Sequence, residues 1–180
     1  EIFMFFCKKF NIDFFSLAGN QNNVLKRYFN CAKKFSSENI VRITSDCPFI
    51  NPLIIDQMIN FYRENDLNFL TNNKPRFVPH GFDCEIFSYS LLNKAFSLSK
   101  SNYDKEHVTP WMYRNIFKKK NNIKIFSKNY SNLRLTLDNI NDYVYFMKND
   151  KLLKNVATKK NMENFFNKLK KWKFFMEDNS

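Results

Sequence analysis

The sequence predicts an α/β protein with a mainly parallel sheet, and three observations lead there. Short β-rich runs alternate along the chain with stretches whose apolar residues recur at helical spacing. One run, Ile40–Thr44, has the character of a buried central strand. The composition, 44% hydrophobic and 26% charged over 180 residues, provides for one domain with a sizeable core and excludes a wholly disordered chain.

Residues 2–10 carry Ile2, Phe3, Phe6 and Phe10 on one side and Lys8 and Lys9 on the other, as a helix end does. A strand is expected over Ile12–Ser16, then a turn at Gly19. Val24, Leu25, Tyr28, Phe29 and Ala32 repeat with helical period, predicting a helix at about 22–36. Strand Ile40–Thr44 ends at Asp46-Cys47-Pro48. Asn51 as N-cap and Pro52 as first helical residue start a helix reaching about Asn65. Leu67–Thr71 reads as a strand, and Pro75, Pro79 and Gly81 make a loop of 72–81. Further strands are expected at Cys84–Phe87, Ile123–Phe126 and Leu133–Leu137. Helices are expected at Ser88–Ser99 with Ser88 as cap, Lys105–Asn115 and Asn139–Lys148. Asn161–Met176 is an amphipathic Lys/Phe helix, read as packing loosely or lying on a partner.

Two glycines, Gly19 and Gly81, cannot build a Walker loop or a GxGxxG fingerprint. The net charge of +12 raises the question of nucleic acid or anionic membrane. Lys, Asn, Phe, Ile and Tyr dominate the chain, all with AT-rich codons, which gives the charge a genomic origin. The basic residues are scattered rather than gathered in a stripe, against nucleic-acid binding. Cys7, Cys31, Cys47 and Cys84 have no CxxC spacing and apolar neighbours, so buried free thiols are expected, which fits a cytoplasmic location. The apolar run Ile2–Cys7 is too short to span a bilayer and lacks the flanks of a signal peptide. The start at Glu1, within a helix pattern, is read as a truncation.

Ligands of open α/β sheets bind at the carboxyl ends of strands. Asp46, in RITSDCPFI, and Asp138, in LRLTLD, fall there. Together they could hold a hard divalent cation and leave positions open for phosphate. Asp138 could equally be only the N-cap of the following helix. HGFDCE groups His80, Asp83 and Glu85 around a glycine turn, with both acids on one strand face. That face suits either solvent or sugar hydroxyls. KEHVTP sets Glu106 and His107 at a helix start, where a lone histidine is commonly structural. Arg27, Arg42 and Arg134 are the candidate cations for a phosphate, or else ion-pair partners. No nucleophile elbow is present.

NVLKRYFNCAKKF, IVRITSDCPFINPLIIDQMI, HGFDCEIFSYSLLNKA, KEHVTPWMYRN and NLRLTLDNINDYVYF follow one another in this order. Over residues 1–150 they strongly resemble the cytidylyltransferase family of the spore coat polysaccharide biosynthesis SpsF type, relatives of the CMP-sugar-acid synthetases. The resemblance implies a GT-A-like, Rossmann-related nucleotidyltransferase fold and transfer of CMP from CTP to a sugar or sugar acid with Mg2+, releasing pyrophosphate. It implies catalytic, metal-holding roles for Asp46 and Asp138. The family's GLDVEVFS string matches GFDCEIFS and implies that Asp83 and Glu85 face the acceptor sugar. REHVTP implies Glu106, His107 and Pro110 beside that pocket, and GSxDNVLxRY implies Gly19, Asn23 and Arg27 near the nucleotide. Arg134 is then expected on the substrate.

There are departures. Ser45 replaces a small Gly or Ala, Asn20 and Gln21 replace Ser and an acid, and Asn139 and Asn141 soften an acidic stretch. Residues 1–20 contain no AR-x-x-S-x-R-L-P-x-K string. The expectation is therefore a fold lacking its first strand and nucleotide loop, and a chain with weakened activity by itself. Residues 151–180 form a Lys/Phe-rich extension with no placed counterpart. The relatives' habit makes a homodimer the expected assembly. The competing reading is a basic binding module whose tail contacts nucleic acid or a protein.

Overall fold

The computed structural model describes residues 2–149 and 159–170, with the side chains of Lys159, Lys160 and Lys170 left aside. In chain order its elements are α1 (Ile2–Lys9), α2 (Val24–Lys34), β1 (Asn39–Arg42), α3 (Pro52–Glu64), β2 (Phe69–Thr71), β3 (Glu85–Ser88), α4 (Tyr89–Leu98), α5 (Asn102–His107), α6 (Pro110–Asn115), a 3₁₀ turn (Lys119–Asn121), α7 (Ile140–Lys148) and α8 (Lys159–Lys170). They fall into two compact units. A helical unit comprises residues 2–38 and 88–116, and a sheet unit comprises 39–87, 117–149 and 159–170.

In the sheet unit the strand order is β1-β3-β2. β2 and β3 are antiparallel, pairing Phe69 with Phe87, Leu70 with Ile86 and Thr71 with Glu85. This pair departs from the expected parallel arrangement. The connection between these strands is the turn-rich loop with Pro75, Pro79 and Gly81, and it holds no crossover helix of the kind parallel neighbours require. Parallel pairing occurs as the single bridges Thr71–Asn122 and His80–Arg134. The expected strands 123–126 and 133–137 are therefore extended segments tied at single points, not ladders. The expected strand 12–16 is also absent: Ile12 is exposed, and the segment has no strand neighbour among the described residues.

Ile54, Met58 and Tyr62 from α3, Leu70, Ile86, Leu133, Leu135 and Phe146 join one core with the apolar side of α8. Met162, Phe165, Phe166 and Leu169 all point inward, the i, i+3, i+4, i+7 pattern of a core-facing helix. The Phe166 ring meets Phe82 at 5.2 Å, Phe126 at 5.4 Å and Tyr130 at 5.0 Å. A loosely packed tail is thus corrected for 159–170. Its aromatic side is buried, and its polar residues Asn161, Asn164 and Lys168 face out. Residues 171–176 of the expected helix lie outside the described residues.

In the helical unit α2 contributes Leu25 and Ala32 to a smaller core with Leu91, Leu92, Ala95, Val108 and Met112. Phe29 stacks on Phe96 at 4.4 Å and on Tyr89 at 5.9 Å. The single helix expected at 105–115 is two. Val108 adopts φ 72° between them, and Pro110, which lacks an N–H, opens α6. α1 buries no residue despite its composition, and Phe3 is 81% exposed. No helix among the described residues is long and apolar enough to cross a membrane. Cys47 and Cys84 are buried as expected, whereas Cys7 and Cys31 are only half-buried.

Candidate functional site

Local signals set the frame of the sheet unit's site. β1 leads to a turn in which the Cys47 N–H donates to the Thr44 carbonyl at 3.2 Å. Asn51 then caps α3, its Oδ1 accepting from the Leu53 N–H at 2.9 Å, with Pro52 at the start, as expected. Asp46 sits on this turn. Segment 133–137 turns Leu133 and Leu135 into the core and leaves Arg134 and Thr136 on the opposite side. Its odd-numbered backbone groups take up two loops in succession. The His80 N–H donates to the Leu133 carbonyl and the Leu135 N–H to the His80 carbonyl, both at 2.8 Å. The Leu137 N–H donates to the Asp46 carbonyl at 2.8 Å. The segment that ends in Asp138 is therefore bonded to the His80 loop and to the Asp46 turn, although Asp46 and Asp138 are 92 positions apart (138 − 46).

Gly81 allows the His80 loop to lie this close. Its φ is +95°, and a Cβ there would stand 2.6 Å from the Leu135 carbonyl oxygen. The turn delivers Asp83, whose Oδ2 accepts from the Gly81 N–H at 3.3 Å and from Arg76 Nη1 at 3.0 Å. Arg76 Nη2 lies 2.7 Å from Oδ1. Glu85 has a different partner. It is 3% exposed and pairs with Arg42 at 2.7 Å, so solvent exposure is corrected for this acid, and Arg42 is an ion-pair partner within the unit. Burial pushes the Cys47 thiol up, and the charges of Asp46 and Asp83 add to the rise, against a lowering bond from Thr44. Two carboxylates thus act on one buried sulfur.

Arg134 is the most heavily bonded cation here. Its Nη1 donates to Asp138 Oδ2 at 2.9 Å, to Thr136 Oγ1 at 3.2 Å and to Asp142 Oδ2 at 3.1 Å, and its Nη2 donates to Asp142 Oδ1. The bonds from Asp142 hold its pKa above the usual guanidinium value. Burial alone would raise Asp142, but Arg134 and the backbone N–H groups of Asp138 and Asn139 outweigh it and lower that carboxyl. Asp138 is not the N-cap of α7. Asn139 is, in a capping box with Asp142, and it wins because its amide oxygen accepts from the N–H of both Asn141 and Asp142.

The helical unit holds the other expected residues. Gly19 has φ +122° in open space. Asn23 caps α2 through the Lys26 N–H at 3.1 Å, and Arg27 donates to the Gln21 carbonyl within the same loop. Glu106 and His107 are exposed at the end of α5, and the His107 ring lies 4.4 Å from Tyr103. A cavity of about 200 Å³ is lined by Asn20, Asn22, Asn23, Asn102, Lys105 and Glu106. It brings Asn23 and Glu106 together and leaves out Gly19, Arg27 and His107. Sequence reasoning missed Arg76 and Asp142 as site-building residues. The Asn139-x-x-Asp142 spacing was a readable signal, whereas nothing in the sequence links Arg76 to Asp83.

The family model for cytidylyltransferases matches residues 3–173. An uncharacterized protein of Methanocaldococcus jannaschii is 30% identical over 147 residues, which are 78% of this chain and 57% of that protein. The chain thus spans little more than half the length of that relative. The solved structure of a cytidylyltransferase from Leptospira borgpetersenii serovar Hardjo-bovis superposes with a TM-score of 0.79 at 30% identity, covering 99% of this chain and 74% of that one. The likeness extends the sequence resemblance through α8, and on these grounds the chain belongs to the cytidylyltransferase family.

Proposed function

We propose that the protein transfers CMP from CTP to a hydroxyl of a sugar or sugar acid, of the SpsF type that serves surface polysaccharides. The acceptor oxygen bonds to the α-phosphorus, the bond to the β-phosphate breaks, pyrophosphate leaves and the hydroxyl proton passes to water. The observation that carries this reading is the Leu137–Asp46 backbone bond of 2.8 Å, which sets Asp46 beside the segment ending in Asp138.

Asp46 and Asp138 are the residues that would hold Mg2+. Asp138 Oδ2 is taken by Arg134 and Thr136, while its Oδ1 accepts no hydrogen bond among the described residues. The Asp46 carboxylate accepts, among the described residues, from the Cys47 thiol alone, at 3.8 Å. Hard oxygen donors with open positions suit this ion, which takes one or two carboxylates and completes its shell with water and phosphate. No group of three or more His, Cys, Asp or Glu side chains fit for a metal occurs among the described residues, and a two-carboxylate site needs none. When bound, the ion supplies neutralisation of triphosphate charge. Asp83 is held by Arg76 on a fixed loop and serves as an acceptor for sugar hydroxyls. Glu85, enclosed with Arg42, is framework in this reading.

Calorimetric titration tests it. With Mg2+ present, CTP is expected to bind at least about tenfold tighter than ATP, GTP or UTP, which a site built on specific hydrogen bonds delivers. Chelation of Mg2+, or Asp46→Asn, is expected to weaken CTP binding by about tenfold or more. Equal affinity for all four triphosphates, or binding indifferent to both Mg2+ and Asp46→Asn, would overturn the proposal.

A further inference from the structure

We infer that Asp142 is a positioning residue for this reaction, acting through Arg134 to present one oxygen of Asp138. The inference rests on the reading of Asp138 as a metal ligand. Asp142 stands in the first turn of α7 with its carboxylate buried. Its Oδ2 accepts from the Asp138 N–H at 2.9 Å and the Asn139 N–H at 3.0 Å, and both of its oxygens accept from Arg134. The same Arg134 Nη1 reaches Asp138 Oδ2 at 2.9 Å, and Thr136 Oγ1 donates to that oxygen at 2.7 Å.

One buried carboxylate therefore fixes Asp138 twice. It holds the peptide nitrogen directly, and it holds the side chain through the guanidinium. Asp138 Oδ2 is occupied by this arrangement, and Oδ1 is the oxygen left for a cation. The Asp138 side chain is half exposed and without the clamp would sample several rotamers, an entropy that binding would then have to remove. The planar fork of arginine suits the task because it engages two carboxylates in fixed directions, which an ammonium does not. Arg134 is thereby committed to protein groups, and its role lies behind Asp138 rather than on the substrate.

The test measures Mn2+ uptake by electron paramagnetic resonance, with melting temperature recorded alongside. Asp142→Asn is expected to weaken Mn2+ binding about tenfold, in the range for residues that orient metal ligands. Arg134→Lys keeps the charge, loses the fork, leaves the helix cap intact and is expected to weaken binding by a similar factor. It decides the matter if Asp142→Asn does not fold. Because both act along one chain of contacts, the double variant is expected to bind no more weakly than Asp142→Asn alone. Wild-type affinity in both single variants, or losses that multiply in the double variant, would overturn the inference. Asp138→Asn separates it from the reading beneath. If Asp138→Asn binds Mn2+ as the wild type does, or the wild type takes up none, the metal assignment itself fails. If Asp138→Asn abolishes binding while Asp142→Asn and Arg134→Lys do not weaken it, only the positioning role fails.

Discussion

The two units hold the residues expected at a site in different ways. In the sheet unit four acids are clamped by arginines: Asp83 by Arg76, Glu85 by Arg42, and Asp138 and Asp142 by Arg134. The clamps stand on a core of buried aromatic and branched side chains. In the helical unit the expected residues are caps and surface groups. Asn23 serves the end of α2, Arg27 its own loop, and Glu106 and His107 stand in solvent. The contrast teaches that these sheet-unit acids take their directions from a partner side chain, whereas the expected residues of the helical unit serve the backbone or the surface.

Removing the aromatic centre of the sheet unit strikes the contrast hardest. Phe166→Ala is expected to cost about 4 kcal/mol, as large aromatic truncations in cores do, measured by urea unfolding. A loss under about 1 kcal/mol would mean that α8 is not part of that core. Next come the glycines, one in each unit. Gly81→Ala forces a methyl against the Leu135 carbonyl at positive φ and is expected to cost about 3 kcal/mol, whereas Gly19→Ala meets open space and costs about 1 kcal/mol from its φ alone. Equal losses would erase the distinction between a braced loop and a free one.

Acid sharpens the comparison from the other side. Asp104, the buried acid of the helical unit, is raised by burial, but its bonds to Arg114 and Ser101 outweigh this and lower its pKa. A carboxylate lowered on folding stabilises the fold above its unfolded value of about 3.9 and loses that contribution as pH falls through the folded value. Asp104→Asn is expected to destabilise by about 2 kcal/mol at pH 7, a charged hydrogen bond's worth, and the deficit should shrink below about pH 4. A deficit that stays constant down to pH 2 would deny the ion pair its role. The smallest effect is expected at Asn23→Ala, about 1 kcal/mol for a lost helix cap in thermal unfolding.

Helix starts were legible because their chemistry is local. Asn51-Pro52 and Ser88 cap where expected. Asp138 and Asn139 are both good caps, and the choice between them depended on Asp142 and Arg134 reaching back over the turn. The alternation of Leu133 and Leu135 against Arg134 and Thr136 gave the correct facing, yet a strand is made by its partner, and here the partners are single loop carbonyls and N–H groups. The spacing of Met162, Phe165, Phe166 and Leu169 was visible, but the hydrophobic surface that receives it comes from residues 54–146. Asp46 and Asp138 were readable as acids that follow extended segments, whereas the pairing of Arg42 with Glu85, 43 positions apart, leaves no trace in a linear pattern.

The buried sulfurs give the sheet unit an internal clock. Burial, with the charges of Glu85 and Asp83, pushes the Cys84 thiol up to about 12. At neutral pH only about one molecule in a hundred thousand then carries the nucleophilic thiolate, against a few per cent for an ordinary cysteine. An alkylating reagent therefore meets Cys84 almost solely in molecules whose sheet unit has opened. Half-buried Cys7 and Cys31 modify early, and the delay before Cys84 follows reads out how often this unit opens, with no probe added to the protein.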